Sequence, residues 1–265
     1  MKITILGCGS SPGVPMIGGE NFQPSGLWGD CDPLEPRNRR TRSSAVIEKD
    51  GYRLLIDCGP DFRSQMLANN LGSIDAVIIT HAHSDHIAGL DELRAVNRVI
   101  ERPIPLFATE ETMAELKSRF AYAFQPWKGG GFFRPVFEET LIEYDSVFKI
   151  GPLKLYGFRQ FHGRFLSLGL RCGDFAYSTD VHELPVSSLE RLGGLASWVV
   201  GCLQYDSHPS HASLEQVMKW RELLSPSEII LTHMGEGLDY QTLRNILPPD
   251  IRPAWDGQIL RVGAD

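Results

Sequence analysis

The chain has 265 residues, of which 42% are hydrophobic and 22% are charged, and its formal net charge is −7. No apolar run approaches the roughly 20 residues that cross a bilayer, and the acidic balance counts against a broad nucleic-acid-binding surface, which needs clustered Lys and Arg. We therefore expect a globular protein of ordinary composition, folded as one domain over residues 1–265 and located in the cytoplasm.

The first half of the chain alternates apolar runs with turn signals. Lys2–Gly7 is interpreted as a β-strand rather than a signal peptide, because no small-residue cleavage site follows a long apolar core. Strands over Ala45–Lys49 and Arg53–Asp57 flank Asp50-Gly51, a strong hairpin signal. The next predicted elements are a helix over Asp61–Asn70, a strand over Ala76–Thr80, a loop over His81–His86, a helix over Ile87–Asn97, a strand over Leu106–Ala108 and a helix over Glu110–Arg119.

The second half follows an aromatic and glycine-rich segment, Phe120–Glu139, and continues the alternation. Strands are predicted over Leu153–Phe161, Ser167–Arg171, Phe175–Ser178, Ser197–Val200 and Glu228–Leu231, and helices over Leu184–Leu192, Ser213–Leu224 and Tyr240–Asn245. Alternating strands and helices in both halves are typical of a layered α/β domain. The five cysteines are scattered and contain no C-x-x-C pair, which favours reduced thiols over a disulfide framework.

Four metal-ligand side chains follow directly after the predicted strand Ala76–Thr80, in the pattern H-x-H-x-D-H. They are His81, His83, Asp85 and His86. A buried strand end fixes the backbone while the loop lets the side chains converge, and Zn²⁺ accepts both imidazole and carboxylate ligands. A second ion needs a bridging carboxylate and further histidines.

Three further residues supply these ligands, each at the end of a predicted strand or just after it. They are His162, Asp180 and His233. Open α/β sheets bind their ligands at the carboxyl ends of strands. The spacing therefore predicts one centre of seven metal ligands.

With these motifs, the sequence resembles the metallo-β-lactamase superfamily from about Met1 to Gln258. Within it, the chain resembles the PhnP branch, the phosphoribosyl cyclic phosphodiesterases of phosphonate breakdown. The branch is favoured by the runs Gly7–Pro15, Arg39–Ser44, Leu55–Arg63 and His208–Glu215. The resemblance implies a four-layer αββα sandwich.

The resemblance also implies how the ligands divide between two divalent ions, zinc or manganese. One ion would take His81, His83 and His162, the other Asp85, His86 and His233, and Asp180 would bridge them. A hydroxide held between two cations is a strong nucleophile at neutral pH. Asp85 would also accept a hydrogen bond from that hydroxide and aim it.

His211 and Asp57 are candidate residues outside the ligand set. In the phosphodiesterase branches a histidine at the motif His211-Ala212-Ser213 assists the phosphate, so His211 is expected to stabilise the transition state or to protonate the leaving alkoxide. The alternative is a histidine at a helix start, with Ser213 as N-cap. Asp57 either orients a ligand histidine or caps a buried turn.

Several other features keep more than one interpretation. His208 is a weaker candidate for substrate contact, and His182 is expected to form local hydrogen bonds. Gly7–Pro15 lacks the ending of a P-loop and is interpreted as a tight turn below the metals. The basic run Arg37–Arg42 is either a solvated loop or an anion-facing loop. Phe120–Phe137 could be a lid, a homodimer contact or core packing.

Two departures from the PhnP pattern occur together. Those enzymes carry a structural zinc on an early C-x-C-x-x-C run and a late histidine, whereas this chain keeps only Cys31 and has Glu236 at the late position. We predict no structural zinc. A hard cation held by Asp30, Asp32 and Glu236 is the alternative.

The leading hypothesis is a phosphodiesterase that acts on a small cyclic phosphate or a related phosphoester. One alternative is tRNA processing of the ribonuclease Z kind, against which the acidic charge counts. A second is a thioester or lactone hydrolase on the same two metals. A non-catalytic sensor with this fold is the third, but binding alone does not require the complete ligand set.

Overall fold

Fourteen β-strands form the frame of the molecule in the computed structural model, which describes residues 1–18, 26–129 and 131–263. In chain order they are Lys2–Gly7 (β1), Ser44–Lys49 (β2), Tyr52–Ile56 (β3), Ala76–Ile78 (β4), Ile104–Ala108 (β5), Phe137–Leu141 (β6), Ser146–Ile150 (β7), Leu153–His162 (β8), Phe165–Cys172 (β9), Phe175–Ser178 (β10), Ser197–Gly201 (β11), Glu228–Thr232 (β12), Ile251–Pro253 (β13) and Ile259–Arg261 (β14).

The strands divide into two sheets of seven, each part antiparallel and part parallel. The first has the order β14-β1-β2-β3-β4-β5-β6, and it is parallel from β3 to β6. The second has the order β13-β12-β11-β10-β9-β8-β7, and it is parallel from β10 to β13. The parallel strands in each sheet bring several carboxyl ends to one edge, where ligand sites form.

Seven α-helices connect and cover the strands in the described residues. They are Phe62–Ala68 (α1), Ser84–Ile87 (α2), Leu93–Ile100 (α3), Glu110–Arg119 (α4), Val186–Arg191 (α5), Leu214–Leu224 (α6) and Tyr240–Ile246 (α7). The longest of them begin at side-chain caps: Thr109 and Ser213 accept hydrogen bonds from backbone N–H groups of the first turns of α4 and α6. None of the described helices is long and apolar enough to cross a membrane.

The core lies in layers on both faces of each sheet. In β2, Ala45 and Ile47 face the second sheet, whereas Val46 between them packs with α1, α3 and α4. This alternation follows from the two-residue period of a strand that is buried on both sides. On the far side, Val217 and Trp220 of α6 pack against the second sheet. The layers are helices, sheet, sheet and helices, which confirms the predicted αββα sandwich.

The predicted elements are largely present, with corrections at their ends. The predicted loop His81–His86 contains the short helix α2, and the helix predicted over Ile87–Asn97 begins only at Leu93. Strands β6, β7, β13 and β14 were not predicted. In β6 only Phe137 is buried, so the strand lacks the alternation that identifies a half-buried strand. Residues 19–25 of the long irregular segment lie outside the described residues.

Candidate metal centre

The seven predicted ligands meet where strands of both sheets end. His81 and His83 follow β4, His162 is the last residue of β8, Asp180 follows β10 and His233 follows β12. The two remaining ligands, Asp85 and His86, are buried in α2. Every described histidine in the chain, including His182, His208 and His211, lies within the centre or beside it.

Three buried residues at this edge have left-handed backbone conformations. The φ angles are 60° for Asp57, 46° for Asp180 and 53° for His233. Such angles in residues other than glycine cost about 1–3 kcal/mol each and persist only where the surroundings fix them. The fold therefore accepts local strain to turn these side chains into the centre.

One group of ligand atoms consists of His81, His83 and His162 with Asp180. Nδ1 of His83 lies 3.1 Å from Nε2 of His81 and 3.2 Å from Nε2 of His162. Oδ1 of Asp180 is 3.8 Å from Nε2 of His81 and 3.7 Å from Nε2 of His162. Three imidazole nitrogens and a carboxylate oxygen at such distances form the donor set of a divalent cation.

Hydrogen bonds on the far side of the rings set the tautomers of this group. Nδ1 of His162 donates to the carbonyl oxygen of Ser210 at 2.7 Å, which leaves Nε2 with a lone pair toward the centre. The hydroxyl of Thr80 donates to Asp57 at 2.8 Å, so it accepts from Nδ1 of His81 at 3.0 Å. Both rings therefore present an unprotonated Nε2 to a cation.

The second group consists of Asp85, His86 and His233, again with Asp180. Nε2 of His86 lies 3.0 Å from Oδ2 of Asp180 and 3.2 Å from Oδ2 of Asp85. Nδ1 of His233 lies 3.2 Å from Oδ2 of Asp180. Nδ1 of His86 donates to Asp57 at 2.7 Å, and its buried Nε2 has no hydrogen-bond partner among the described residues. A cation at this point would satisfy that orphaned nitrogen.

The charge distribution also fits bound cations. Burial raises the pKa of Asp180, but this effect is outweighed by the neighbouring imidazoles of His233, His86 and His81. The pKa therefore lies well below its usual range, and Asp180 is a carboxylate. Burial lowers the pKa of His81 and of His233. Burial acts the same way on His86, but three surrounding carboxylates outweigh it and raise the pKa. Asp180 belongs to both groups, within each of which all ligand atoms lie within 4.8 Å of one another. The residues present fit two divalent ions that share one carboxylate.

His211 lies at the centre but belongs to neither ligand group. Its Nδ1 is 3.8 Å from Oδ1 of Asp180, and its ring stacks on that of His233 at 4.9 Å between centroids. Burial, with smaller contributions from neighbouring histidines, lowers the pKa of His211 to about 3. The residue just before α6 is Ser213, which caps the helix as the alternative interpretation required. The cap is thus Ser213, whereas the imidazole of His211 lies beside Asp180, and its catalytic role stays a prediction.

A cavity of about 340 Å³ lies beside Ala212, the residue after His211. His182, His208 and Ser213 are among its lining residues. Nδ1 of His182 lies 3.4 Å from the carbonyl oxygen of His211, and the backbone N–H of Ser210 donates to Nδ1 of His208 at 3.3 Å. His182 therefore has the local contact expected of it, and substrate contact by His208 stays a prediction.

The early turn Gly7–Pro15 contacts Met234, the residue after the last predicted ligand, and its place below the metals stays a prediction. The carbonyl oxygen of Cys8 accepts from the N–H of Met234 at 2.9 Å, and the N–H of Ser10 donates to the carbonyl of Met234 at 3.1 Å. Ser43, which the motif analysis did not single out, has its hydroxyl 3.2 Å from Nδ1 of His233. Its one available signal was its place in the Arg39–Ser44 run.

The basic run has a structural role that the sequence did not indicate. Arg40 is buried, and its guanidinium donates to the carbonyl oxygens of Gly235 at 3.0 Å and Leu238 at 2.5 Å. It also donates to Asn38 at 3.1 Å and lies 3.9 Å from the thiol of Cys31. The other arginines of the basic run also have partners. Arg37 lies over the Tyr240 ring at 4.8 Å, Arg39 lies over the Trp28 ring at 4.9 Å, and Arg42 lies 3.0 Å from Asp61. Arg37 and Arg39 are exposed, as a solvated loop requires, whereas Arg40 is buried, and the anion-facing interpretation stays a prediction.

The aromatic segment divides between packing and surface. Phe132 and Phe137 are buried, and Trp127 stacks on Phe132 at 4.5 Å. Phe133 is 76% exposed and lines a separate cavity of about 400 Å³ together with Trp127. Packing therefore accounts for part of the segment, and the lid and homodimer interpretations stay predictions. Gly130 lies outside the described residues.

Two layered mixed sheets thus carry, at their common edge, two groups of histidines and aspartates that could hold metal ions. Residues 52–234 match the beta-lactamase superfamily domain family. The chain belongs to the metallo-β-lactamase superfamily, in its PhnP-like branch.

Three similar proteins indicate how far this relationship extends. The crystal structure of a new diphosphatase from the PhnP family has a TM-score of 0.88 at 32% identity and covers 99% of this chain and 98% of that one. An octanoyltransferase from Porphyromonas gingivalis is 32% identical over 262 residues, which are 97% of this chain but 51% of that protein. The chain thus spans about half of that relative. Zn²⁺-bound PqqB from Methylobacterium extorquens shares the fold, with a TM-score of 0.78 at 18% identity. The match covers 99% of this chain and 100% of that one.

Proposed function

We propose that this chain is a phosphoric diester hydrolase that cleaves a small cyclic phosphate or a related small phosphoester. Two divalent ions, zinc or manganese, would be held by the seven ligands, with Asp180 shared. The observation that carries the proposal is His211, an imidazole that faces Asp180 at 3.8 Å without belonging to a ligand group. The similarity to a diphosphatase of the PhnP family supports phosphoryl chemistry.

The chain's own residues prepare the reaction in three ways. Divalent cations held by the seven ligands would lower the pKa of a water toward neutrality and would supply positive charge for the phosphoryl oxygens. Asp85 is buried at the start of α2, so its carboxylate can accept a hydrogen bond from the attacking water and aim it. His81 and His162 are locked in orientation by Thr80 and Ser210, so the centre needs little rearrangement during the reaction.

His211 is assigned to the leaving group. The rings of His162 and His233 flank it at 4.6 and 4.9 Å between centroids, which fixes the ring plane. A ring nitrogen that faces the centre can donate a hydrogen bond to the phosphate or to the departing oxygen, and this contact strengthens as charge develops there. The role requires no metal contact by His211.

A small substrate fits this chain better than tRNA. The 30 residues between Asp180 and His211 contain helix α5 and strand β11, so no long arm for gripping RNA occurs at that point. The net charge of −7 also opposes a nucleic-acid surface. All five cysteines are free and buried, which supports a reducing, cytoplasmic location.

The test is turnover by the metal-loaded protein of bis(p-nitrophenyl) phosphate, a ribose cyclic phosphate, precursor tRNA and a thioester, measured side by side. Hydrolysis of the first two substrates is expected. Activity confined to the thioester or to precursor tRNA contradicts the proposed substrate class, although it leaves the metal centre intact.

A further inference from the structure

A cavity of about 470 Å³ opens directly beside the metal ligands His81 and His83. Its volume is in the range of small-molecule sites. One wall is a face of helix α4, and the other is the tip of the β8–β9 hairpin. The groups on these walls decide what part of a substrate can lie next to the scissile bond.

The α4 wall is hydrogen-bonded to the loop that carries His81 and His83. It also presents the carboxylate of Glu111 to the cavity. Arg119 donates to the carbonyl oxygen of Ala82 at 2.8 Å and pairs with Glu115 at 2.9 Å. Glu111 lies on the same helix face, four residues before Glu115. It is exposed and has no hydrogen bond or ion pair within the described residues. A free carboxylate on a cavity wall accepts hydrogen bonds and attracts N–H donors.

The hairpin wall offers a ring and a cation. Phe165 is 63% exposed, and its ring meets the ring of His83 edge-on at 5.6 Å between centroids. Arg164 beside it is exposed and, in the part of the chain that the structure describes, has no ionic or hydrogen-bond partner. An exposed aromatic face next to a metal centre is a stacking platform for a flat ligand group. The guanidinium suits an anionic oxygen.

We propose that this cavity is a subsite for the base of a nucleoside phosphate. The base stacks on Phe165 and directs its N–H donors to Glu111, while Arg164 pairs with a phosphate oxygen outside the scissile bond. The inference rests on the proposed phosphohydrolase function and adds a substrate class to it. A phosphoester without a base would leave Phe165 and Glu111 without a role in binding.

The test compares guanosine 2′,3′-cyclic phosphate with methyl riboside 2,3-cyclic phosphate, which has the same scissile group and lacks the base. Phe165→Ala is expected to raise KM for the guanosine substrate about 5- to 150-fold, the range of one stacked base, with kcat little changed. KM for the riboside should stay the same. Phe165→Trp should keep wild-type affinity, because it retains a ring.

The matched control is Phe133→Ala, which removes an exposed phenylalanine that lines a different cavity. It should change neither KM. Glu111→Gln should reduce the preference for guanosine over uridine cyclic phosphate. An equal rise of KM for both substrates in Phe165→Ala, or equal KM values for both in the wild type, overturns the subsite.

Binding separates this inference from the proposed function. Calorimetry with GMP on the metal-loaded protein needs no turnover, and affinity should fall in Phe165→Ala but not in Phe133→Ala. No difference between the two variants overturns the subsite even if both phosphoesters are hydrolysed. Loss of GMP affinity in Phe165→Ala alone supports the subsite even if the reaction class is wrong.

Discussion

Asp57 accepts a hydrogen bond from Nδ1 of His86 at 2.7 Å. The same carboxylate accepts from the hydroxyl and the N–H of Thr80, both at 2.8 Å, and Thr80 in turn accepts from His81. One buried carboxylate thus orients a ligand from each of the two groups. The sequence offered a choice between orienting a ligand and capping a turn, and the contacts favour orientation.

Asp57→Asn is expected to lower the affinity for divalent metal about 10- to 100-fold, the usual effect of removing such an orienting partner. Asparagine tolerates the left-handed backbone that Asp57 adopts, so the change reports the carboxylate rather than the turn. Affinity is measured by competition with a chromophoric chelator. Wild-type affinity at both sites would show that Asp57 serves only the turn.

His211→Ala should lower kcat about 10²- to 10³-fold, the range for removing one hydrogen-bond donor to developing charge, while metal content stays unchanged. The measurement is turnover of bis(p-nitrophenyl) phosphate together with metal analysis of the same sample. The matched control is His182→Ala, which removes a neighbouring histidine outside both ligand groups. Loss of metal in His211→Ala would instead make His211 a ligand.

Arg40→Met should lower the free energy of unfolding by about 3 kcal/mol, because it leaves the buried carbonyls of Gly235 and Leu238 without a donor. These carbonyls lie just after His233, so the affinity of the ion bound there should also fall. Urea denaturation of the metal-free protein measures the first effect. Arg37→Met, which removes only the contacts of an exposed arginine with the rings of Tyr240 and Trp255, should cost under about 1 kcal/mol. Equal losses of unfolding free energy in Arg40→Met and Arg37→Met would contradict the structural role of Arg40.

Asp239 should make stability depend on acid pH. Against the cost of burial, hydrogen bonds from Thr242, Asn38 and Asp32 lower the pKa of Asp239 to about 2. Its value in the unfolded chain is about 3.9. A lowered folded-state pKa stabilises the fold above about pH 4, and this contribution is lost as the pH falls toward 2.

Asp239→Asn keeps an acceptable N-cap for α7 and removes the charge. Its deficit in unfolding free energy relative to the wild type should be about 1–2 kcal/mol at pH 6 and should shrink as the pH falls below 4. The deficit is measured by urea denaturation of both proteins between about pH 2 and pH 6. A deficit that is constant with pH would assign the effect to geometry rather than to ionisation.

The sequence predicted the centre because its ligands are concentrated at strand ends, where side-chain direction is fixed by the backbone. His162 and His233 could be placed in this way without knowledge of sheet order. The role of Arg40 could not, since a buried guanidinium that bonds carbonyls some 200 residues away leaves no periodic signal. Strand β6 was missed because Glu138 and Glu139 are both exposed at a sheet edge. Asp57 also orients His81 through the hydroxyl of Thr80. The sequence could not predict this, because the direction of the hydroxyl proton is defined only by the structure.

The most direct test of the central claim is the metal content of the purified protein, measured together with phosphodiester turnover before and after chelation. The account predicts about two divalent ions per chain for a centre of this kind, loss of turnover on their removal and recovery when they are restored. Asp180→Ala, which removes the ligand common to both groups, should bind fewer ions. A folded protein with all seven side chains intact and metal content near zero, or full turnover without metal, would contradict the account.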